Sequence, residues 1–200
     1  MQFVEIAGVM GSGKTALTHA FNDLGFAPIV EKETDLQRMF FVEPYLTDPK
    51  RYGFEGAINF IAFHFNRIQE GLHKKPDDAR VVVDTSLLLQ YAYHHTLLNP
   101  GELAAVSTVI EHAYKKLPPV ALRVVTDTPP EVLAARIRDT EGGVPLPYLQ
   151  DAVSGLEKAM TLFNGNTPLL RLDGTQHDWA HNPVHREQVK LRIASALANQ

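Results

Sequence analysis

The sequence predicts an α/β fold, a doubly wound parallel sheet of five strands with helices on both faces, and three observations carry that prediction. Apolar, β-branched runs recur at residues 3–7, 27–30, 81–83, 120–125 and 169–172. The segments between them are long and mostly helical in period, as crossovers between parallel strands require. Third, Gly8-Val9-Met10-Gly11-Ser12-Gly13-Lys14-Thr15 completes the pattern G-x-x-x-x-G-K-[ST] between the first run and a segment with helical spacing, Ala16, Leu17, Ala20, Phe21 and Leu24. Strand, loop and helix in that order are the setting of a phosphate-binding loop and specify a P-loop NTPase fold.

In such a loop the glycines let successive backbone N–H groups point at phosphate oxygens, while the lysine reaches the terminal phosphates and the hydroxyl ligates Mg²⁺. The partial positive charge at the start of the next helix adds to the attraction. Gly8, Gly11, Ser12, Gly13, Lys14 and Thr15 are therefore the candidate nucleotide-binding residues. Glu31 follows the second strand, at the carboxyl edge where open α/β sheets bind ligands. It is a candidate general base, with Glu33 and Asp35 as rivals and a solvated acidic cluster as the plain alternative.

About fifty residues separate the second and third strands, and they hold two helical patterns broken at Thr47-Asp48-Pro49. Asp-Pro marks the break because the residue before proline avoids the helical region while proline suits a first turn. Across residues 50–72 the apolar and aromatic positions cover more than one face, which predicts two apolar neighbours, the sheet and a partner subunit. Asp84 ends the third run at the same sheet edge, as a Mg²⁺ ligand across from Thr15 or as an N-cap for the helix beginning at Ser86.

Helices are expected over residues 86–97 and 102–117 around the turn Asn99-Pro100-Gly101. Pro129-Pro130-Glu131 opens a helix to about Asp139, which Glu141-Gly142-Gly143 breaks. Arg136 and Arg138 do not share a helical face, which suits a helix end fraying into a lid, at about 136–147, that brings charge to a transferring phosphate. Two solvated surface arginines are the plain alternative. A further helix spans 145–164, and a last one starts at about Pro183. His177, His181 and His185 with Asp178 have a spacing that invites zinc, but Asn182-Pro183 interrupts their helix and no metal motif is completed. His64 and His94-His95 are read as pocket or surface residues, and Trp179 as a packing anchor.

Two hundred residues with 44% hydrophobic content bound a single domain, 1–200. A net charge of −4 gives no footprint for a polyanion, so nucleic acid is not an expected partner. The chain has no cysteine, and Met1 leads directly into the first strand, so no signal peptide, no membrane partner and a cytoplasmic location are expected.

Taken together these motifs resemble the deoxynucleoside kinases, the family that includes deoxyadenosine, deoxyguanosine and mitochondrial-type thymidine kinases. The likeness rests on the phosphate loop Gly8 to Thr15, on Glu31 in the place of the glutamate of an E-P pair, on Asp48-Pro49-Lys50-Arg51-Tyr52, and on Arg136, Arg138, Glu141 with Val144-Pro145-Leu146-Pro147-Tyr148-Leu149-Gln150. It implies ATP as donor, Mg²⁺, a homodimer joined through the long helices, Glu31 as base, lid arginines on the donor phosphates, Glu141 on the sugar 3′-hydroxyl and Tyr45 near the family's sugar-contacting tyrosine, with Leu46 at the strictly aligned place.

Three positions depart from the pattern. Lys32 replaces the proline, and Asp84-Thr85-Ser86 lacks the arginine of [DE]-R-S. Ala57 stands where a glutamine reads the base, leaving Asn59, His64 or Arg67 as substitutes. The leading reading is phosphoryl transfer from ATP to the 5′-hydroxyl of a deoxynucleoside or modified nucleoside. The alternatives are a kinase for a nucleoside monophosphate or other small metabolite, and a non-catalytic nucleotide-binding regulator.

Overall fold

The computed structural model describes residues 1–31, 42–141 and 143–198, with the side chains of 139–141 left out. Its centre is a parallel sheet in the order β2-β3-β1-β4-β5, with strands β1 (Gln2–Ala7), β2 (Ala27–Val30), β3 (Arg80–Asp84), β4 (Val120–Asp127) and β5 (Leu169–Asp173). All five apolar runs are strands. The first strand lies in the middle, paired with β3 through Val4↔Val82 and with β4 through Val4↔Leu122. The loop that leaves its carboxyl end therefore emerges at the centre of one sheet edge.

Alternation along the strands sends Val4, Ile6, Val82, Val124 and Leu172 to one face, under α1 (Lys14–Asp23) and α8 (Pro183–Ala198). Phe3, Ala7, Val81, Val83 and Val125 face the other side. That side is covered by α3 (Pro49–His73), α4 (Leu88–His94), α5 (Pro100–Tyr114), α6 (Pro130–Glu141) and α7 (Leu146–Phe163). Helix α2 (Val42–Thr47) precedes α3 across the expected break, where Asp48 caps α3 by accepting from the Arg51 N–H at 3.2 Å. Asn99 and Glu102 form a reciprocal capping box at α5.

Three expectations are corrected. The run at residues 3–7 is not wholly apolar in its surroundings: Glu5 is fully buried and register-paired with Arg123, whose Nε and Nη2 lie 3.0 and 2.9 Å from Glu5 Oε2. The Tyr114 hydroxyl donates to the other carboxylate oxygen at 3.0 Å, so the buried charges are paired and bonded. Helix α4 is shorter than residues 86–97: it covers Leu88–His94, after which the chain tightens into a turn with the Leu97 N–H donating to the His94 carbonyl at 2.9 Å. Helix α6 stays helical through Glu141, so Arg136 and Arg138 sit on a continuous helix rather than a frayed end. Among the described residues no helix is long and apolar enough to cross a membrane.

Candidate active site

The phosphate loop occupies residues 8–13 between β1 and α1. Gly11 and Gly13 take φ of +76° and +86°, the left-handed region that only glycine enters at little cost. Gly8 has a different reason: a Cβ there would run into Thr126 Oγ1 on the neighbouring strand. The loop is then fixed from four directions. The Tyr93 hydroxyl accepts from the Met10 N–H at 2.9 Å, and Trp179 Nε1 donates to the Gly13 carbonyl at 3.0 Å. Thr126 Oγ1 donates to Ser12 Oγ at 2.6 Å, and Arg136 reaches the Gly11 carbonyl at 3.5 Å while holding the Gly174 carbonyl at 2.7 Å. Trp179 is thus the packing anchor expected of it, 3% exposed, and its contact is the loop itself.

A cavity of 1020 Å³ opens beside the loop at the carboxyl edge of the sheet. Lys14 and Thr15 reach it from α1, Glu31 from the end of β2, Tyr45 from α2, His64 from α3 and Asp84 from the end of β3. The Thr15 hydroxyl donates to Asp84 Oδ2 at 2.8 Å, which sets two hard oxygen ligands side by side, the donor set that suits Mg²⁺. Lys14 Nζ donates to the Val9 carbonyl at 3.3 Å, over the loop it serves.

His64 Nδ1 lies 3.8 Å from Glu31 Oε2 and 3.2 Å from Arg67 Nη2. Burial first, and the Arg67 charge second, hold this imidazole down to about 3, so it is neutral at physiological pH. Arg67 also donates to the Asp84 carbonyl at 3.0 Å. It stands behind His64 and Asp84 rather than in the cavity wall.

Asn59 is not brought to the cavity. Phe60 and His64, four apart, line it, while Asn59 lies about 100° round the helix from Phe60 and bonds its own amide back to the Glu55 carbonyl at 2.7 Å. Arg138 is exposed on α6, and the side chain of Glu141 lies outside the described residues, as do Lys32, Glu33 and Asp35. Leu46 is 68% exposed and Tyr45 is buried. Ala57 is fully buried and Thr85 lines the cavity.

Sequence reading missed Tyr93, Gln90 and Tyr148 as wall residues. The signal was available in part, because Gln90, Tyr93 and His94 recur at helical spacing directly after Asp84. The tail histidines are spent on local bonds: the Asp178 N–H donates to His185 Nδ1 at 2.9 Å, and His181 Nδ1 lies 3.1 Å from Asp178 Oδ1. A second depression, of 620 Å³ between Met1, His73 and Lys116, lies at the opposite sheet edge, away from the loop.

The model of the deoxynucleoside kinase family matches residues 4–198. A deoxyadenosine kinase of Dictyostelium discoideum is 22% identical over 179 residues, covering 86% of this chain and 72% of that one. Among solved structures, deoxyadenosine kinase from M. mycoides with bound dCTP superposes with a TM-score of 0.74 at 14% identity, over 97% of this chain and 100% of the other. The same enzyme with bound dATP gives 0.72 at 14% identity, over 96% and 100%. At these identities the superpositions establish the fold.

Proposed function

The chain belongs to the deoxynucleoside kinase family, and from that premise we propose that Glu31 removes the proton from the 5′-hydroxyl of a bound deoxynucleoside while the terminal phosphoryl group of ATP passes to it. The chain is a kinase that phosphorylates deoxynucleosides. The observation that carries the assignment of roles is the continuity of one cavity from Lys14, Thr15 and Asp84 past Glu31 to the aromatic wall of Tyr45, Phe60 and Tyr148. Donor and acceptor meet in a single space.

In this reading the loop N–H groups other than those of Met10 and Ser12, which are engaged by Tyr93 and by the Val9 carbonyl, hold the triphosphate with the start of α1, and Lys14 follows the charge that develops on the transferred group. Arg136 and Arg138, on a lid spanning about 136–147 of a single 1–200 domain, add fixed positive charge when the lid is closed. Thr15 and Asp84 hold Mg²⁺, which when bound neutralises charge on the donor phosphates. Glu31 takes the hydroxyl proton, the acceptor oxygen bonds to phosphorus, and the bond to the ADP oxygen breaks. Tyr45 and Glu141 address the sugar, and His64, backed by Arg67, shapes the space between Glu31 and the base.

Among the described residues that line the cavity, the charge favours an unphosphorylated acceptor. Lys14 is the one permanently cationic side chain among the described residues that line the cavity, and it belongs to the donor loop. A phosphate on the acceptor would meet Glu31 and Asp84 instead. The experiment is a panel of deoxynucleosides and their monophosphates with labelled ATP: transfer to a deoxynucleoside is expected, and protein that binds ATP but transfers to none of them rejects the reading. A homodimer is proposed from the half-buried Tyr52 and Phe63 on α3, and light scattering in solution tests it. A cytoplasmic location is proposed from the absence of cysteine.

A further inference from the structure

Resting on that reading, we propose that His94 recognises the base of the acceptor: its Nε2 accepts a hydrogen bond from an amino group of the base, so that amino-bearing deoxynucleosides are selected over their keto counterparts. His94 ends α4, is 1% exposed, and borders the cavity. Its Nδ1 lies 2.7 Å from the carbonyl oxygen of Gln90, one helical turn earlier. A carbonyl oxygen can only accept, so Nδ1 carries the hydrogen and Nε2 keeps its lone pair. Burial, partly offset by that carbonyl, brings the imidazole down to about 4, so the ring is neutral at pH 7 and Nε2 does not donate.

Nε2 is buried and meets no donor among the described residues. Buried acceptors are seldom left without a partner, and this one belongs to a ring that borders the ligand cavity. Position selects which part of the acceptor supplies the donor. Helix α4 begins at Leu88, four residues after Asp84, and six more residues carry it about 9 Å along its axis to His94. The reacting hydroxyl belongs beside Glu31 and Lys14, so His94 stands by the most remote part of a nucleoside, its base. The rings of Tyr45 and Phe60, 5.2 and 6.3 Å from the imidazole, are flat walls against which a base can stack.

A keto oxygen at the position of an amino group would set a lone pair against a lone pair. A site built on a buried hydrogen bond rejects an analogue that cannot make it, because the site's own polar group is left unpaired. The test compares kcat/KM for deoxyadenosine with deoxyinosine and with purine 2′-deoxyriboside, and for deoxycytidine with deoxyuridine, at fixed ATP and Mg²⁺. The expected result is at least a tenfold preference for the amino member of the pair that is turned over, with the ratio falling to within about threefold in His94→Leu. His94→Gln, which offers both an acceptor and a donor, is expected to lose the preference, and it decides the matter if His94→Leu does not fold. A wild-type ratio near one, or a ratio unchanged in either variant, overturns the role of His94 while leaving the kinase reading intact. Transfer to none of the five nucleosides overturns both.

Discussion

The hydroxyl of Thr15, at the start of the helix after the phosphate loop, lies 2.8 Å from Oδ2 of Asp84, at the end of the neighbouring strand β3. The two oxygens come from segments 69 residues apart, and the sheet register alone brings them together. Replacing Asp84 by Asn keeps the shape and removes the charge. The Mg²⁺ concentration for half-maximal activity is expected to rise, and kcat/KM at limiting Mg²⁺ to fall by roughly 10²-fold or more. Unchanged Mg²⁺ dependence in steady-state kinetics counts against this pair as the metal site.

Glu31→Gln separates chemistry from binding. As general base, Glu31 contributes to kcat, and its loss is expected to cost roughly 10²–10⁴-fold in that parameter. ATP affinity, measured by calorimetry, should stay within about twofold, since the donor site lies on the loop. A comparable loss of ATP binding would mean that Glu31 serves the fold or the donor site instead.

Trp179→Phe keeps the ring packing and deletes the N–H that donates to the Gly13 carbonyl. The lost hydrogen bond is worth about 1 kcal/mol, or about fivefold in the KM for ATP if it acts on the loop. The melting temperature falls by about 2–4 °C. Trp179 is the single tryptophan in the chain, so its emission in the wild type reports on the loop directly and should change on adding ATP.

Arg123→Met leaves the Glu5 carboxylate buried beneath the sheet without its cation, and about 3–5 kcal/mol of stability is expected to be lost in urea unfolding. The double change Glu5→Leu with Arg123→Met removes both charges and should recover most of that loss. If the double variant is no better than the single one, the pair is not where the energy resides.

Acid sensitivity follows from His64 and His94, held at about 3 and about 4 against an ordinary value of 6.5. Both bind a proton more readily in the unfolded chain than in the folded one. Their contribution is therefore fully present above pH 6.5 and is lost as the pH falls from there towards 3. Melting temperatures recorded from pH 7.5 to 4.5 should decline, and the decline should flatten in a His64→Gln/His94→Gln variant. An equal slope in that variant assigns acid sensitivity to other groups.

The strands and the phosphate loop were legible because each is a local pattern: an apolar run has its signature within six residues, and the loop motif within eight. The long helix and its Asp-Pro start were legible for the same reason. What escaped was adjacency. Glu5 reads as a lone acid in an apolar run until β4 puts Arg123 beside it. Trp179 and Tyr93 have a sound packing role on their own helices and turns, and nothing local says that both touch the loop. Asn59 was chosen for its chemistry, yet helical geometry turns it away from the face that Phe60 and His64 share. The acceptor wall is assembled from α2, α3, α4 and α7, so no single window of sequence contains it.

The anchoring of the phosphate loop through Met10 to Tyr93 and through Gly13 to Trp179 spans 83 and 166 residues of chain. During synthesis the motif is therefore made early and completed late. A nascent or partly unfolded chain carries the whole glycine-rich signature without the contacts that shape it. Its grip on nucleotide should mature only when the tail turn docks, so that tight ATP binding is a report that folding has finished.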